Sequence, residues 1–442
     1  MYYKPAPLNQ TSTYAVVKPR LSKIGKIFIY ILLIVVFEGA IRKWVSSAFT
    51  GPLVLLRDGL AIYGIFSAIK TGRLSFRRTG AQLLKLWTYF FLGWGLLQLL
   101  VNQSSPMIYL VGIRFWLLYL WFSYAAAVSF TEYDFNFIGK TIVALLIAMT
   151  PLAITQHFLP PGAFLNKQVD SVEEDIFLVT AGVVRTTGTF SFTLGFTTLL
   201  ALATPFVLCL LAPGAKLWNR KWMPKFCILA LGIGTIVSGS RGAITFFGLM
   251  FGAYIVATAL YSRRSKKLAA LSMIVVVGVL LALVPYLLPS STVANKERFE
   301  SASQSEILSD RLIAMFTGEA GVYKASTLIG SGVGVGTNFA GAAVTGKRTF
   351  LLAETEAART ILEGGLLGFA FIGLKLLVIG VGLRKSWVIL KATSNTLPLF
   401  LWLATTIALL SWSIIGQLTV NALGYMLLGL AIASLRFREK RI

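Results

Sequence analysis

Cysteine is nearly absent from this chain, with two in 442 residues, Cys209 and Cys227. Both fall near the cytoplasmic ends of neighbouring apolar segments, so no disulfide framework is expected. Histidine is scarcer still: His157 is the only one. No Cys/His set with metal-ligand spacing exists, which argues against a zinc site. Acidic residues are also few, 17 against 41 lysines and arginines, for a net charge of +24. A charge of that size first suggests nucleic acid, and its distribution decides whether that partner is needed.

Apolar sequence is what the chain has in abundance. Hydrophobic residues make up 56%, above the roughly 45–50% of soluble globular chains. Apolar runs of about 20 residues recur, long enough to cross a bilayer as helices. The chain reads as an all-α polytopic membrane protein of about twelve helices, at 24–41, 51–69, 86–101, 107–130, 137–158, 188–212, 226–239, 242–261, 269–288, 365–383, 397–414 and 420–435. No cleavable signal peptide is read at the start, and the first apolar run is expected to act as a signal anchor. Residues 1–23 read as a disordered cytoplasmic tail, 24–288 as helices one to nine, and 289–364 as an extracytoplasmic loop with amphipathic helices. Residues 365–435 hold the last three helices, and 436–442 a basic cytoplasmic tail.

With the N-terminus inside and the helices alternating, Lys and Arg gather on one side. Examples are Arg73/Arg77/Arg78, Arg220/Lys221/Lys225, Arg263/Arg264/Lys266/Lys267 and Arg436/Arg438/Lys440/Arg441. The same segments hold only Glu132, Asp134 and Glu439 as acids. Nearly all the excess charge therefore lies inside, as membrane insertion requires. No nucleic acid partner is expected, and both termini are expected in the cytoplasm.

This topology places four segments outside: the 159–187 loop, the short turn "SGSRGA", the 289–364 loop and the turn near "GQLTVN". The 289–364 loop is far longer than an ordinary connector and should carry its own helices. "SQSEILSDRLIAMF" opens with a capping-box pattern, Ser303 and Glu306. "LLAETEAARTILEGG" reads as a second amphipathic helix ended by glycine. "LIGSGVGVGTNFAG" lacks the strand–turn–helix setting of a nucleotide loop and reads as a tight turn back to the membrane. No two six-helix halves are visible, unlike a major-facilitator transporter.

Charges in or beside apolar spans are functional candidates. They are Arg57, Arg114, Arg185, Arg241, Arg311, Arg359 and Lys375. Arg185, Arg241 and Arg311 all fall outside in this topology, at or near membrane level. Guanidinium forks onto phosphate oxygens, so such a set suits a lipid-linked phosphate or pyrophosphate. Each arginine taken alone is better read as a snorkelling cation or a local ion pair; the three on one side give the phosphate reading its weight. Arg57 and Asp58 are adjacent and cannot face each other on a helix, so each should pair elsewhere. Asp58 with Arg114 is the expected structural pair, with a lipid phosphate as the other role for Arg114. Glu38 and Arg42, at i,i+4, read as a local salt bridge. Glu356, Arg359 and Glu363 follow i, i+3, i+7 spacing and read as a solvated salt-bridge ladder. Glu354 lies off that stripe, where a carboxylate near arginines has the chemistry of a general base.

These pieces together resemble the O-antigen polymerases and O-antigen ligases of bacterial surface polysaccharide synthesis. "RTTGTFSF" looks like the family's Arg-x-x-Gly-Thr-Phe segment, and "SGSRGA" like its Ser-Arg-Gly motif. "SDRLIAMF…LIGSGVGVGTNF" looks like its loop arginine and Gly-x-Gly turn, and "EGGLLGFAFIGL" like the segment that opens the next helix. The resemblance spans about residues 185–385. It implies a GT-C-like membrane glycosyltransferase in the inner membrane with an extracytoplasmic active site, no cofactor and no metal. It implies undecaprenyl-pyrophosphate-linked glycans as donor and acceptor, with membrane lipids, a chain-length regulator and a flippase as partners. Carried over, Arg185, Arg241 and Arg311 hold the pyrophosphate, Glu354 or Glu356 deprotonates the acceptor, and Arg359 orients it. Arg114 and Arg57 remain lipid-phosphate or structural residues. Ligases of the family carry a histidine near the position of "AETEAA", and this chain has none there. The expectation is therefore a polymerase, with a ligase and a flippase of lipid-linked glycans as the rivals.

Overall fold

In lipid, a helix is the way an apolar run satisfies its own backbone polar groups, and helix dominates this chain. The computed structural model describes residues 20–102, 105–167, 178–179, 183–211, 222–261, 274–275, 278–279, 282–283, 285–286, 288–305, 308–319, 321–345, 352–353 and 355–437. In chain order the first helices are α1 (Lys23–Ala40), α2 (Thr50–Lys70), α3 (Thr79–Val101), α4 (Pro106–Ile113), α5 (Tyr119–Ser129) and α6 (Glu132–Phe158). Then come α7 (Thr193–Leu210), α8 (Met223–Val237), α9 (Arg241–Tyr261), α10 (Pro289–Ser305), α11 (Leu308–Thr317) and α12 (Val322–Ala325). The last are α13 (Asn338–Thr345), α14 (Glu356–Gly364), α15 (Leu366–Thr393), α16 (Leu397–Ser411) and α17 (Leu418–Ser434). Wider π-turns extend α1 over Ile41–Val45 and join α4 to α5 over Arg114–Leu118. Strands are limited, among the described residues, to a two-residue hairpin, β1 (Leu178–Val179) antiparallel to β2 (Val183–Val184).

Eight helical segments among the described residues are long and apolar enough to cross a membrane: α1, α2, α3, α4–α5, α6, α7, α9 and α15. α8, α16 and α17 are apolar but shorter. The helix expected at 269–288 lies largely outside the described residues, and its described pairs are helical.

Several expected boundaries move, for local reasons. α6 begins at Glu132, earlier than expected, because Thr131 and Asp134 form a reciprocal capping box. α15 runs on to Thr393 and ends at Ser394, whose φ is 55°. Its last turns thus carry Arg384, Lys385 and Lys391, which were expected in a connector. Ser303 lies inside α10, so the expected capping box does not start a helix there. Glycine does end α14, at Gly365 with φ 56°.

Most of the core forms one apolar cluster that runs through α1, α5, α6, α7, α16 and α17. α17 packs on α5, α7 and α16. A second cluster is aromatic and joins Trp87 and Phe91 of α3, Phe115 and Trp116 of the π-turn, and Phe371 of α15. The π-turn leaves backbone groups without helical partners, and Asn421 of α17 donates to Phe115 O at 2.7 Å.

Candidate functional site

The segment from Arg185 to Ser191 folds tightly onto the end of α1. Gly39 makes this approach feasible, because a Cβ there would collide with the backbone of Thr189–Ser191. Thr189 Oγ1 donates to Val36 O at 2.5 Å. Gln156 of α6 grips both sides of Gly188: Oε1 accepts its N–H at 2.7 Å and Nε2 donates to its carbonyl at 3.0 Å. Lys43 donates from Nζ to Thr187 Oγ1 and to Gly188 O, each at 2.9 Å.

The same segment reaches the turn before α9. Thr186 Oγ1 donates to Val237 O at 3.1 Å, and Asn295 of α10 donates to Ile236 O at 3.4 Å. Arg185 and the "SGSRGA" turn therefore share one corner. Arg185 is partly buried, and its Nε is shielded from solvent with no hydrogen-bond partner.

In that turn Gly239 has φ 60°, a conformation glycine adopts readily. Ser238 Oγ donates to Thr235 O at 2.7 Å and accepts from Ser240 N–H at 3.3 Å. Ser240 Oγ accepts from Ala243 N–H at 3.3 Å, capping α9. Arg241 is the first residue of α9, at the positive end of the helix dipole. Gly242 belongs to the first turn of that helix.

Arg311 lies on α11, which packs against α14 and α16; its side chain is outside the described residues, as is Glu354. The stripe on α14 is buried, not solvated: Glu356 is 3% exposed, and Arg359 and Glu363 are 0%. Glu356 accepts from Lys375 Nζ at 3.0 Å, lies 3.7 Å from Arg359, and accepts from Ile415 N–H at 3.3 Å. Arg359 donates to Ala353 O at 2.9 Å. Glu363 accepts from Gly334 N–H. Burial pushes the Glu363 carboxyl pKa up to about 8, against the opposing pull of the Gly334 N–H and Arg359.

The glycine-rich segment does return to the membrane helices. Gly330, Gly332 and Gly334 have φ of 84°, 115° and 96°. Two residues of α3 and Asn102, which caps its end, hold this turn. Trp94 donates to Ile329 O and Gly364 O, Asn102 to Gly330 O at 2.8 Å, and Gln98 to Ile329 O and Glu363 O. Gln98 Oε1 also accepts from Val333 N–H at 3.0 Å. The i, i+4, i+8 spacing of Trp94, Gln98 and Asn102 on an apolar helix is the sequence signal that marks this contact.

Arg57 and Arg114 are paired within the protein. Arg57 Nη1 donates to both Glu38 carboxylate oxygens at 2.8 Å. Arg114 holds Asp58 through Nε at 2.5 Å and Nη2 at 3.0 Å, as expected for that pair. Tyr119 adds a hydrogen bond to Asp58 at 3.1 Å. Arg42 lies 3.5 Å from Glu38, so the expected i,i+4 contact exists but is longer than the one to Arg57. Thr419 Oγ1 donates to Glu38 at 3.3 Å. The turn and helix from Ile415 to Thr419 thus connect the Glu356 group to α1, and α1 connects onward to the Arg185 segment.

No family model matches the chain, and no curated protein matches its sequence.

Proposed function

We propose that the chain is a membrane glycosyltransferase that polymerises undecaprenyl-pyrophosphate-linked oligosaccharide repeat units at the outer face of the inner membrane. In this reading it has about twelve spans, a GT-C-like arrangement and cytoplasmic termini. The observation that carries it is the shared corner of Arg185 and Arg241, tied by the Thr186–Val237 hydrogen bond. Two arginines whose chain segments meet beside a capped helix N-terminus suit a pyrophosphate.

The acceptor hydroxyl attacks the anomeric carbon of the donor glycan. The carbon–oxygen bond to pyrophosphate breaks, and the pyrophosphate leaves with the electron pair. Arg185, Arg241 and Arg311 stabilise the charge that grows on it. The hydroxyl proton goes to a carboxylate, Glu354 in this reading. Glu356 is already engaged by Lys375 and Arg359, which suits it better to holding α14 in place.

The test is a product assay with purified protein in nanodiscs and defined lipid-linked repeat units. The expected result is longer lipid-linked glycan with release of undecaprenyl pyrophosphate, lost in Arg241→Ala at an unchanged unfolding temperature. Transfer only to a lipid core or protein acceptor would make the chain a ligase. Movement across the bilayer without bond cleavage would make it a transporter.

A further inference from the structure

We propose that Lys43 is a further cation of the Arg185–Arg241 site and contacts the phosphate group of the ligand bound there. The proposal rests on the donor-site reading above. Lys43 sits in the π-turn that closes α1, an irregularity frequent at functional sites. It is 3% exposed. A lysine ammonium is a compact, strongly hydrated charge, and burying it without an anion is costly.

Its partners are neutral: a hydroxyl, Thr187 Oγ1, and a carbonyl, Gly188 O. The indole of Trp44 adds a ring face 5.1 Å away. Among the described residues, the two carboxylates near that end of α1 are committed elsewhere. Glu38 serves Arg57 and Arg42, and Asp58 serves Arg114. Among the described residues three arginines share those two carboxylates, so Lys43 adds a fourth positive charge to the group.

The segment that Lys43 touches does not need a charge to hold it. Gln156 grips Gly188 from both sides, and Thr189 and Thr186 tie the flanks to Val36 O and Val237 O. An ammonium has three N–H donors, and two are used here. Its acceptors lie two and three residues after Arg185, whose Nε is buried without a partner. An anion that reached both groups would offset positive charge there and satisfy both donors. A phosphate ester has the charge and the several acceptor oxygens for that, whether it belongs to a polyprenyl pyrophosphate or to an anionic bilayer lipid.

Calorimetric titration of the full chain in nanodiscs tests this, with inorganic pyrophosphate and farnesyl pyrophosphate as probes. Retention of phosphatidylglycerol during purification tests the headgroup source in parallel. Lys43→Met should weaken farnesyl pyrophosphate at least about tenfold, the equivalent of ~1.4 kcal/mol. Lys43→Arg should stay within about threefold of wild type, the charge being kept. Thr187→Val, which removes one acceptor and no charge, should also stay within about threefold. Loss of phosphatidylglycerol retention alone in Lys43→Met would still support the cation and assign its anion to the bilayer. Unchanged binding and retention in Lys43→Met, with a loss in Arg241→Ala, would overturn this inference alone. So would Thr187→Val matching the loss in Lys43→Met, because Lys43 would then only shape the loop. Wild-type protein that takes up none of the three anions would overturn the donor-site reading as well.

Discussion

Arg57 of α2 and Arg114 of the π-turn after α4 meet carboxylates, whereas Lys43, beside the Arg185 segment, meets a hydroxyl and a carbonyl. Arg57 and Arg114 sit within 2.8 Å and 2.5 Å of Glu38 and Asp58. Lys43 meets Thr187 and Gly188 at 2.9 Å each. Both groups reach α1, so the contrast is not one of location in the chain. A buried charge whose counter-charge comes from the protein belongs to the scaffold. A buried charge held by neutral groups keeps its desolvation cost, which is the basis of the ligand contact proposed for Lys43.

The largest effect that would test this contrast is chemical. Under the proposed polymerase reading, Arg241→Ala should cut polymer formation by about 100-fold or more, the scale seen when one donor to a developing anion is removed. Its unfolding temperature should match wild type, which scanning fluorimetry reads directly. The scaffold pair should behave in the opposite way. Glu38→Gln leaves Arg57 buried without its carboxylate and should destabilise by about 3–5 kcal/mol. Denaturant or thermal unfolding in detergent measures this, and a stable, inactive Glu38→Gln would erase the distinction.

The Glu356 group gives an intermediate case. Glu356→Gln strands Lys375, and Glu356→Gln with Lys375→Met should recover most of the lost stability, because breaking such a pair costs more than replacing it. Smaller again is Gln98→Ala. It removes two hydrogen bonds to the glycine turn and one to Glu363 O, and should cost about 1–3 kcal/mol, read as earlier proteolysis of the 328–337 segment.

The smallest effect is a slope with pH. The Glu363 pKa is raised to about 8 in the folded chain, above the ordinary carboxylate value, so the folded state binds the proton more tightly than the unfolded one. Its contribution to stability is fully present below the unfolded pKa and is lost as pH rises towards 8. Glu363→Gln should flatten that slope between pH 5 and 8, as measured by thermal unfolding across buffers.

Much of this was legible from residue types and spacing. Adjacent Arg57 and Asp58 could not pair with each other, and the expectation that Asp58 meets Arg114 holds. The glycine run was readable as a turn returning to the helices. The α14 stripe was misjudged, because Glu356, Arg359 and Glu363 at i, i+3, i+7 look the same whether water or protein covers them. Lys375, the Ile415 N–H and Gly334 cover them here, and these lie elsewhere in the chain. Lys43 was passed over for a similar reason: beside Arg42 it reads as one more basic residue at a helix end.

By itself, the sequence determined that this chain is helical and built of apolar runs, because a long apolar segment has one economical way to satisfy its backbone in lipid. It also determined that the excess positive charge gathers in particular connectors. Only the tertiary structure decided which buried cations are neutralised. An ion pair forms over about 3 Å, and partners as distant in sequence as Glu356 and Lys375, or Lys43 and Gly188, reach that distance only once the helices have packed.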